Sequence, residues 1–335
     1  EVLHLPTEQW CTHCVAGKGT DEAHYTQTPK DEEDVHLVLF DYGFVKTEID
    51  ITPLPLLVGE HANSGSGLAL LCEKKGPQEI HAILEIEDWL NELGLIGLLR
   101  ARTDSEPSIM AVIRQVAARR IGRTMLETTP VQSSSSLGAA ERRIRTIVSQ
   151  IRTLRSAVQE LYGVQIAVAH PIFGWLVRHA SFIMDRFLKH KGGKTSYEIV
   201  TGREYSHPLC PFAWMVMARD PAALDLGRAE LRWEKGVWLG RTSTSAEHII
   251  AMPAGIRRVR TIRMLPKEDL AMLDFENCAK YSIWQQQAVS TTTPLPASFA
   301  GTKRTGMATR ERRSWLREFR RKCGQTAGCS GCDPQ

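Results

Sequence analysis

Apolar and polar positions change period several times along the chain, and each change marks an element. "VHLVLFDYGFV", from Val35, is a β-rich run with Asp41 near its far end. "PLPLLVGEHA" and "GLALLCEK" read as two further strands of one meander. In "PQEIHAILEIEDWLNELG", Ile80, Ile83, Leu84 and Leu90 fall at helical spacing. "LIGLLRART" is a buried strand, "PSIMAVIRQVAARRIG" an amphipathic helix and "RTMLETTP" a short strand. The small polar run "VQSSSSLGA" reads as a loop. A long helix follows, with Ile144, Ile147, Val148, Ile151, Leu154, Val158 and Leu161 as its apolar stripe and Gly163 beyond its end. A further apolar helix covers residues 171–188. Three strands, helix, strand, helix, strand, helix make an α/β domain on a mixed sheet.

After Pro221 the texture alters. "GVWLGRTSTSAEHIIAMPAGIRRVRTIRML" alternates like short antiparallel strands with turns, as in a small β-barrel or sheet. Residues 285–310 have linker composition with no apolar periodicity. The expected organisation is a Cys/His-bearing segment and linker (1–30), an α/β core (31–200), a small β domain (201–270) and a linker with a basic, Cys-containing tail (271–335).

Charge changes this picture more than composition does. The 335 residues are 42% hydrophobic and 24% charged, as in ordinary globular proteins, with a net charge of +4. Acid gathers in "DEEDVH" and "EIEDWLNE", and base in "ERRIRTIVSQIRTLR", "GIRRVRTIRML" and "TKRTGMATRERRSWLREFRRK". Each basic run alone is explained by a solvated face, but three in one chain point towards a polyanion such as nucleic acid. No apolar run approaches the ~20 residues that span a bilayer, so no membrane partner is expected. The start, "EVLHLPTEQWC", has neither an initiator Met nor the plan of a signal peptide, and suggests a segment of a longer polypeptide. Cysteine pairs in "CTHC" and "CGQTAGCSGC" have the spacing of zinc ligands more than that of a disulfide framework, and imply a reducing compartment.

Three carboxylates lie where a metal site could gather them. Asp41 is on the first strand, Asp104 ends the strand after the first helix, and Glu141 opens the long helix. Asp104 or Ser105 is also a sufficient helix cap, with Pro107 suited to the first turn. Glu141 is in register with Ile144, Val148 and Ile151, which would set a carboxylate on the buried side of the helix. Such a placement is costly without a compensating cation. Hard divalent ions take oxygen ligands, and two of them can serve an in-line phosphoryl displacement. Glu106 and Glu127 are competing candidates on spacing alone.

Local motifs separate these candidates. Asp104, 36 intervening residues (105–140) and Glu141 resemble the D,D-35-E arrangement of retroviral and retrotransposon integrases. "RTDSEPSI" resembles that family's second-Asp motif, "SSSSLGAAERRIRTI" its third, and "LFDYGF" stands where the first Asp is found. "FGWLVRHASFIMDRF", "KTSYEIVTGREY" and "CPFAWMV" are similar to the segment after the core in Ty1/copia-type Pol polyproteins. "LRWEKGVWLGRTSTSAEHII" and "GIRRVRTIRMLP" are similar to the small C-terminal β region of such elements. The resemblance covers residues 4–265.

What the resemblance implies is an RNase H-like α/β core followed by a small SH3-like β region, two Mg²⁺ or Mn²⁺ ions, and DNA strand transfer. Asp41 would bridge both metals, with Asp104 and Glu141 each completing one site. The nucleophile would be water when a DNA end is trimmed and a 3′-hydroxyl when strands join. Arg142 and Arg145 beside Glu141, and Arg257, Arg258, Arg260 and Arg263 clustered on one strand of the β region, are the candidate contacts to double-stranded DNA. Ordinary surface charge accounts for each of them equally well. His4, Cys11 and Cys14, with His13 and His24 as substitutes, resemble the end of the zinc module that precedes integrase cores. Cys323, Cys329 and Cys332 lack a fourth ligand nearby. The family further implies a homo-oligomer acting in the nucleus and made in the cytoplasm within a polyprotein. A catalytically degenerate, DNA-binding relative is the competing expectation.

Overall fold

The computed structural model describes residues 35–128, 138–219 and 231–285. These all belong to a unit spanning residues 1–289; a second unit spans 290–335. The expected zinc ligands His4, Cys11 and Cys14, the serine run and the cluster Cys323, Cys329 and Cys332 lie outside the described residues.

The first sheet has the order β3-β2-β1-β4-β5. Strands β1 (His36–Val45), β2 (Leu54–His61) and β3 (Gly67–Leu71) form the antiparallel meander read from their alternation. β4 (Leu99–Thr103) joins β1 in parallel, and β5 (Thr124–Thr128) joins β4 in parallel. Parallel neighbours need a crossover connection, and these are α1 (Ile80–Glu92) before β4 and α2 (Pro107–Arg119) before β5. α3 (Gly138–Tyr162) and α4 (Pro171–Phe187) follow, with Gly163 in the left-handed region at φ +67 just past α3. This is the RNase H-like arrangement that the motifs implied. Alternation along β1 sorts its side chains: Val38, Phe40 and Tyr42 pack with α1 and α2, whereas Leu39 and Val45 face the side of α3 and α4.

After the short α5 (Ser196–Thr201) the chain forms a second, wholly antiparallel sheet in the order β10-β6-β7-β8-β9. Its strands are β6 (Met215–Arg219), β7 (Trp233–Arg241), β8 (His248–Met252), β9 (Gly255–Val259) and β10 (Ile262–Met264). The two sheets share a core. Phe173, Trp175 and Leu176 of α4 are buried in one cluster with Leu56 and Leu71 of the first sheet and with Met215, Val237 and Ile249 of the second. A helix apolar on all sides is a buried helix, and α4 is the layer between the sheets.

Residues 271–285, grouped by composition with the tail, are folded instead. α6 (Met272–Cys278) buries Phe275 against Tyr162, with ring centroids 4.2 Å apart. Ile283 is buried, and Trp284 Nε1 donates to the carbonyl of Leu71 at 3.1 Å, occupying the edge of β3. Phe275, Cys278, Ala279 and Ile283 are the buried side chains that anchor the segment.

One buried polar cluster ties these layers together. Arg143, in the first turns of α3, meets Asp185 of α4 at 2.6 Å, and both are buried. Asp185 also accepts from Ser66 Oγ at 2.7 Å and from the Gly67 amide at 3.1 Å. Arg143 donates to the Gly65 carbonyl, and Ser181 Oγ donates to the Gly67 carbonyl at 2.8 Å. Glycine is required at 67 because a Cβ there would overlap the guanidinium. Removing one partner of a buried pair leaves an uncompensated charge and costs about 3–5 kcal/mol. Urea unfolding of Asp185→Ala should show that loss, and the double variant Arg143→Met/Asp185→Leu should recover most of it. An Asp185→Ala variant as stable as the parent would mean that the pair does not hold α3 to α4.

Candidate active site

The register of β1 on β4 brings two of the three candidate carboxylates abreast. Phe40 pairs with Thr103, so Asp41 and Asp104 are the next residues on two adjacent parallel strands, which run about 4.8 Å apart. The ends of parallel strands are where α/β sheets present ligand-binding groups. Asp104 is held by its own turn: its Oδ1 accepts from the Glu106 amide at 3.1 Å, and Thr103 Oγ1 donates to its carbonyl at 2.8 Å. Neither Asp104 nor Ser105 caps α2. The capping position is Glu106, with no side-chain cap, because Pro107 holds the residue before it in extended backbone and delays the helix start.

The third carboxylate arrives on α3. Leu39 packs with Ala140, and Gly43 lies so close to α3 that a Cβ there would approach Ile144 Cγ2 to 3.0 Å. These two contacts bracket Asp41 on one strand face and Glu141 on one helix turn. Glu141 is nevertheless exposed, contrary to its expected place in the buried stripe. The buried row is Ala140, Arg143, Ile147, Ile151, Val158 and Tyr162, and Glu141, Ile144 and Val148 form its flank. The position that faces inward in this turn is Arg143, a residue that periodicity marks as solvated. Glu141 also lies in the first turn of α3, where the helix dipole favours an anion.

The electrostatics of Asp41 reflect its burial first and the nearby acids second. Asp41 is pushed up from 3.8 to about 6, first by burial and then by the charges of Asp104 and Glu141, against the opposing amide of Tyr42, which donates to its Oδ1 at 2.8 Å. Lys75 opposes the rise. It comes from the loop after β3 and was not singled out in the sequence. Its ammonium bonds both oxygens of Glu106, at 2.9 and 2.7 Å.

The rival carboxylates are neutralised locally. Glu106 takes Lys75 and Ser108, and Glu127 takes Arg100 at 2.6 Å and Arg102 at 3.0 Å. Asp41, Asp104 and Glu141 thus remain the set with mutual repulsion to relieve. In donor type and placement they fit a hard divalent cation. Among the described residues no group of three or more His, Cys, Asp or Glu stands close enough to hold a metal ion, so the fit lies in the arrangement of donors and not in a closed cage.

The basic candidates do not form one patch. Arg142 and Arg145 are exposed on α3 beside Glu141. Arg257 and Arg258 lie on β9, Arg260 between strands and Arg263 on β10, rather than on one strand as expected. Arg257 and Arg258 are neighbours on a strand and so face opposite ways. Arg258 shares a cleft with Glu85 and Asp88 of α1, Arg260 lies 3.5 Å from Glu247, and Arg263 stacks on Trp233. Among the described residues no helix is long and apolar enough to cross a membrane.

No protein-family model and no curated protein matches the chain. Solved structures similar to it include the simian T-cell lymphotropic virus intasome in complex with PP2A regulatory subunit B56 gamma, at 13% identity over 68% of this chain and 78% of that one, with a TM-score of 0.38. The HTLV-2 integrase catalytic core domain in complex with magnesium, in its trimeric form, is similar at 14% identity over 48% and 95% of the two chains, with a TM-score of 0.35. The catalytic core domain of BIV integrase is similar at 17% identity over 49% and 93%, with a TM-score of 0.35.

The raised Asp41 has a signed consequence. Its proton is held more tightly in the folded chain than in the unfolded one, so stability present at pH 4 is lost as pH rises through about 6. Discounted for the partial exposure of the side chain, the effect is about 1 kcal/mol. Asp41→Asn should therefore gain about that much relative to the parent between pH 4 and pH 7, read from paired denaturation curves. A constant difference across that range would show that Asp41 titrates normally.

Proposed function

We propose that this chain is the integrase of a Ty1/copia-like retrotransposon, a divalent-metal-dependent DNA strand transferase that works as a homo-oligomer on double-stranded DNA in the nucleus. The observation that supports the reading is the register of β1 on β4, which sets Asp41 next to Asp104 with the charge of Glu141 felt at Asp41, each of the three within its own integrase-like motif. Asp41, Asp104 and Glu141 would be the residues that hold Mg²⁺ or Mn²⁺. Such ions, when bound, activate the attacking oxygen and balance charge on the phosphate and leaving oxygen.

The residues themselves contribute position. Asp104 sits on a rigid strand end, its carboxylate oriented by the Glu106 amide. Glu141 approaches from a helix whose rotation is set by buried Arg143. Arg142 and Arg145, exposed on α3 beside Glu141, would contact the phosphates flanking the scissile bond. Catalysis on this reading is alignment and charge neutralisation, as elsewhere in phosphoryl transfer. The same alignment serves hydrolysis of a DNA end, with water attacking, and joining, with a 3′-hydroxyl attacking.

Strand transfer on a short blunt duplex with Mg²⁺ or Mn²⁺ tests the proposal. Joined products should fall at least about 100-fold in Asp104→Asn and in Glu141→Gln, with DNA binding retained. Cleavage without joining would indicate an RNase H-like nuclease instead. Salt-sensitive binding with no product, in parent and variants alike, would indicate a DNA-binding relative without catalysis.

A further inference from the structure

A groove of about 830 Å³ runs between α3 and α4. Leu154, Ala157 and Leu161 form its α3 wall at i, i+3 and i+7, and Ile183 and Phe187 form its α4 wall at i and i+4. Leu209 lines a third side. The α3 wall runs from Thr146 to Leu161, about 22 Å at 1.5 Å per residue. Helical geometry puts this wall on the flank of α3 away from Glu141, so the groove is separate from the carboxylates. Its rim is apolar and open to water: Phe187 is 50% exposed, and Leu188, Leu209 and Ala157 are exposed with it.

One end of the groove is basic. The Arg143–Asp185 pair brings the start of α3 beside the end of α4. There α4 leads into a hairpin closed by the bridge of Lys189 with Thr195 and by the His190 amide, which donates to the Lys194 carbonyl at 2.9 Å. His190 packs on Gly65, whose carbonyl accepts from Arg143, and this holds the hairpin at the first turns of α3. Lys189, Lys191 and Lys194 are exposed on it, and Arg142 is exposed on α3. Among the described residues no carboxylate pairs with any of the three lysines. Glu60, half-buried near Arg142 and His190, balances part of this charge, and Glu160 stands exposed towards the far end of α3. A nucleic acid backbone has no apolar face to lay on Leu154 and Ile183, and an uncharged apolar molecule makes no use of the lysines. An amphipathic helix uses both, with side chains at i, i+3, i+4 and i+7 in the groove and charge on its flanks.

We propose that the groove between α3 and α4 docks an acidic amphipathic helix of a partner protein, with its apolar stripe between Leu154 and Ile183 and its carboxylates at the Lys189–Thr195 hairpin. The proposal does not rest on the integrase reading. Two antiparallel helices already present matching stripes, so a third completes the packing without rearranging either. The lysines then favour acidic partners over basic ones and make association sensitive to salt.

The test titrates the whole chain against a fluorescein-labelled helical peptide of about 18 residues, with Leu at i, i+3, i+4 and i+7 and Glu elsewhere, and against its counterpart with Lys for Glu. By anisotropy the Leu–Glu peptide should bind at least about tenfold more tightly than the Leu–Lys peptide. Ala157→Glu and Phe187→Glu should each weaken it at least about tenfold, whereas Phe187→Leu should not. Lys189→Glu/Lys191→Glu should weaken the Leu–Glu peptide and strengthen the Leu–Lys one. These positions are at the surface, and unchanged melting curves show that the variants fold. Equal affinity for the two peptides, or no loss in Ala157→Glu, would overturn the proposal. So would a parent oligomer that Ala157→Glu and Phe187→Glu dissociate in light scattering, which makes the groove a contact between copies. Lysine variants that lose duplex DNA but keep the peptide would overturn it too, and give the hairpin to nucleic acid.

Discussion

The geometry of this protein depends on the buried pairing of Arg143 with Asp185. Apolar side chains of similar volume would often stabilise such a place as well or better, but they would not define a direction. The guanidinium is bound to the Gly65 carbonyl, Ser181 and Asp185 at once, and this fixes how α3 is rotated about its axis. With Arg143 turned inward, helical geometry sets Glu141 on the exposed flank of the same turn, beside Ile144, which packs over Gly43 of β1. Gly67 supports this arrangement by its lack of a side chain. A single ion pair therefore orients the helix that carries the third carboxylate.

The second constraint is the mutual repulsion of the carboxylates. Three acids are brought near one another by strand register and helix docking, and Asp41 holds its proton more tightly, first because it is partly buried and then because Asp104 and Glu141 are near. The fold limits that cost rather than abolishing it. Asp104 is oriented by a backbone amide, Glu141 remains in solvent at a helix N-terminus, and Lys75 supplies a distant positive charge already committed to Glu106. Glu106 and Glu127, with their own cations, impose no such strain. The contrast separates acids paired with their own cations from acids that have none beside them.

Much of this was legible in the sequence, because periodicity reports which face of an element is buried. The meander, the two crossover helices, the place of Asp41 on β1 and that of Asp104 just past β4 follow from alternation and from 3.6-residue spacing. What periodicity could not see was polar burial. A stripe drawn through apolar letters alone passes through Ile144 and Val148 and carries Glu141 inward; the true stripe is one row over and includes an arginine, whose partner lies 42 residues later on a largely apolar helix. Lys75 was hidden for a related reason, since its neighbours come from β1 and α2 and not from its own loop. The run "GIRRVRTIRML" misled in the opposite direction: base density along a strand is spread over both faces and a turn, so it does not translate into a patch.

The shared core makes the small β region more than an appendage. α4 presents Asp185 towards Arg143 on one side, and on another Arg178 donates to the Arg241 carbonyl of β7 at 3.0 Å while His179 meets Trp238 edge-on at 5.2 Å. A helix buried on both sides cannot be shifted by one neighbour without disturbing the other, because close-packed interiors transmit displacement. The position of Glu141 is thus linked, through Arg143, Asp185 and α4, to the packing of β7 and β8. In physical terms the carboxylate site extends across both sheets, and an isolated first sheet would lack the helix face that holds its third acid in place.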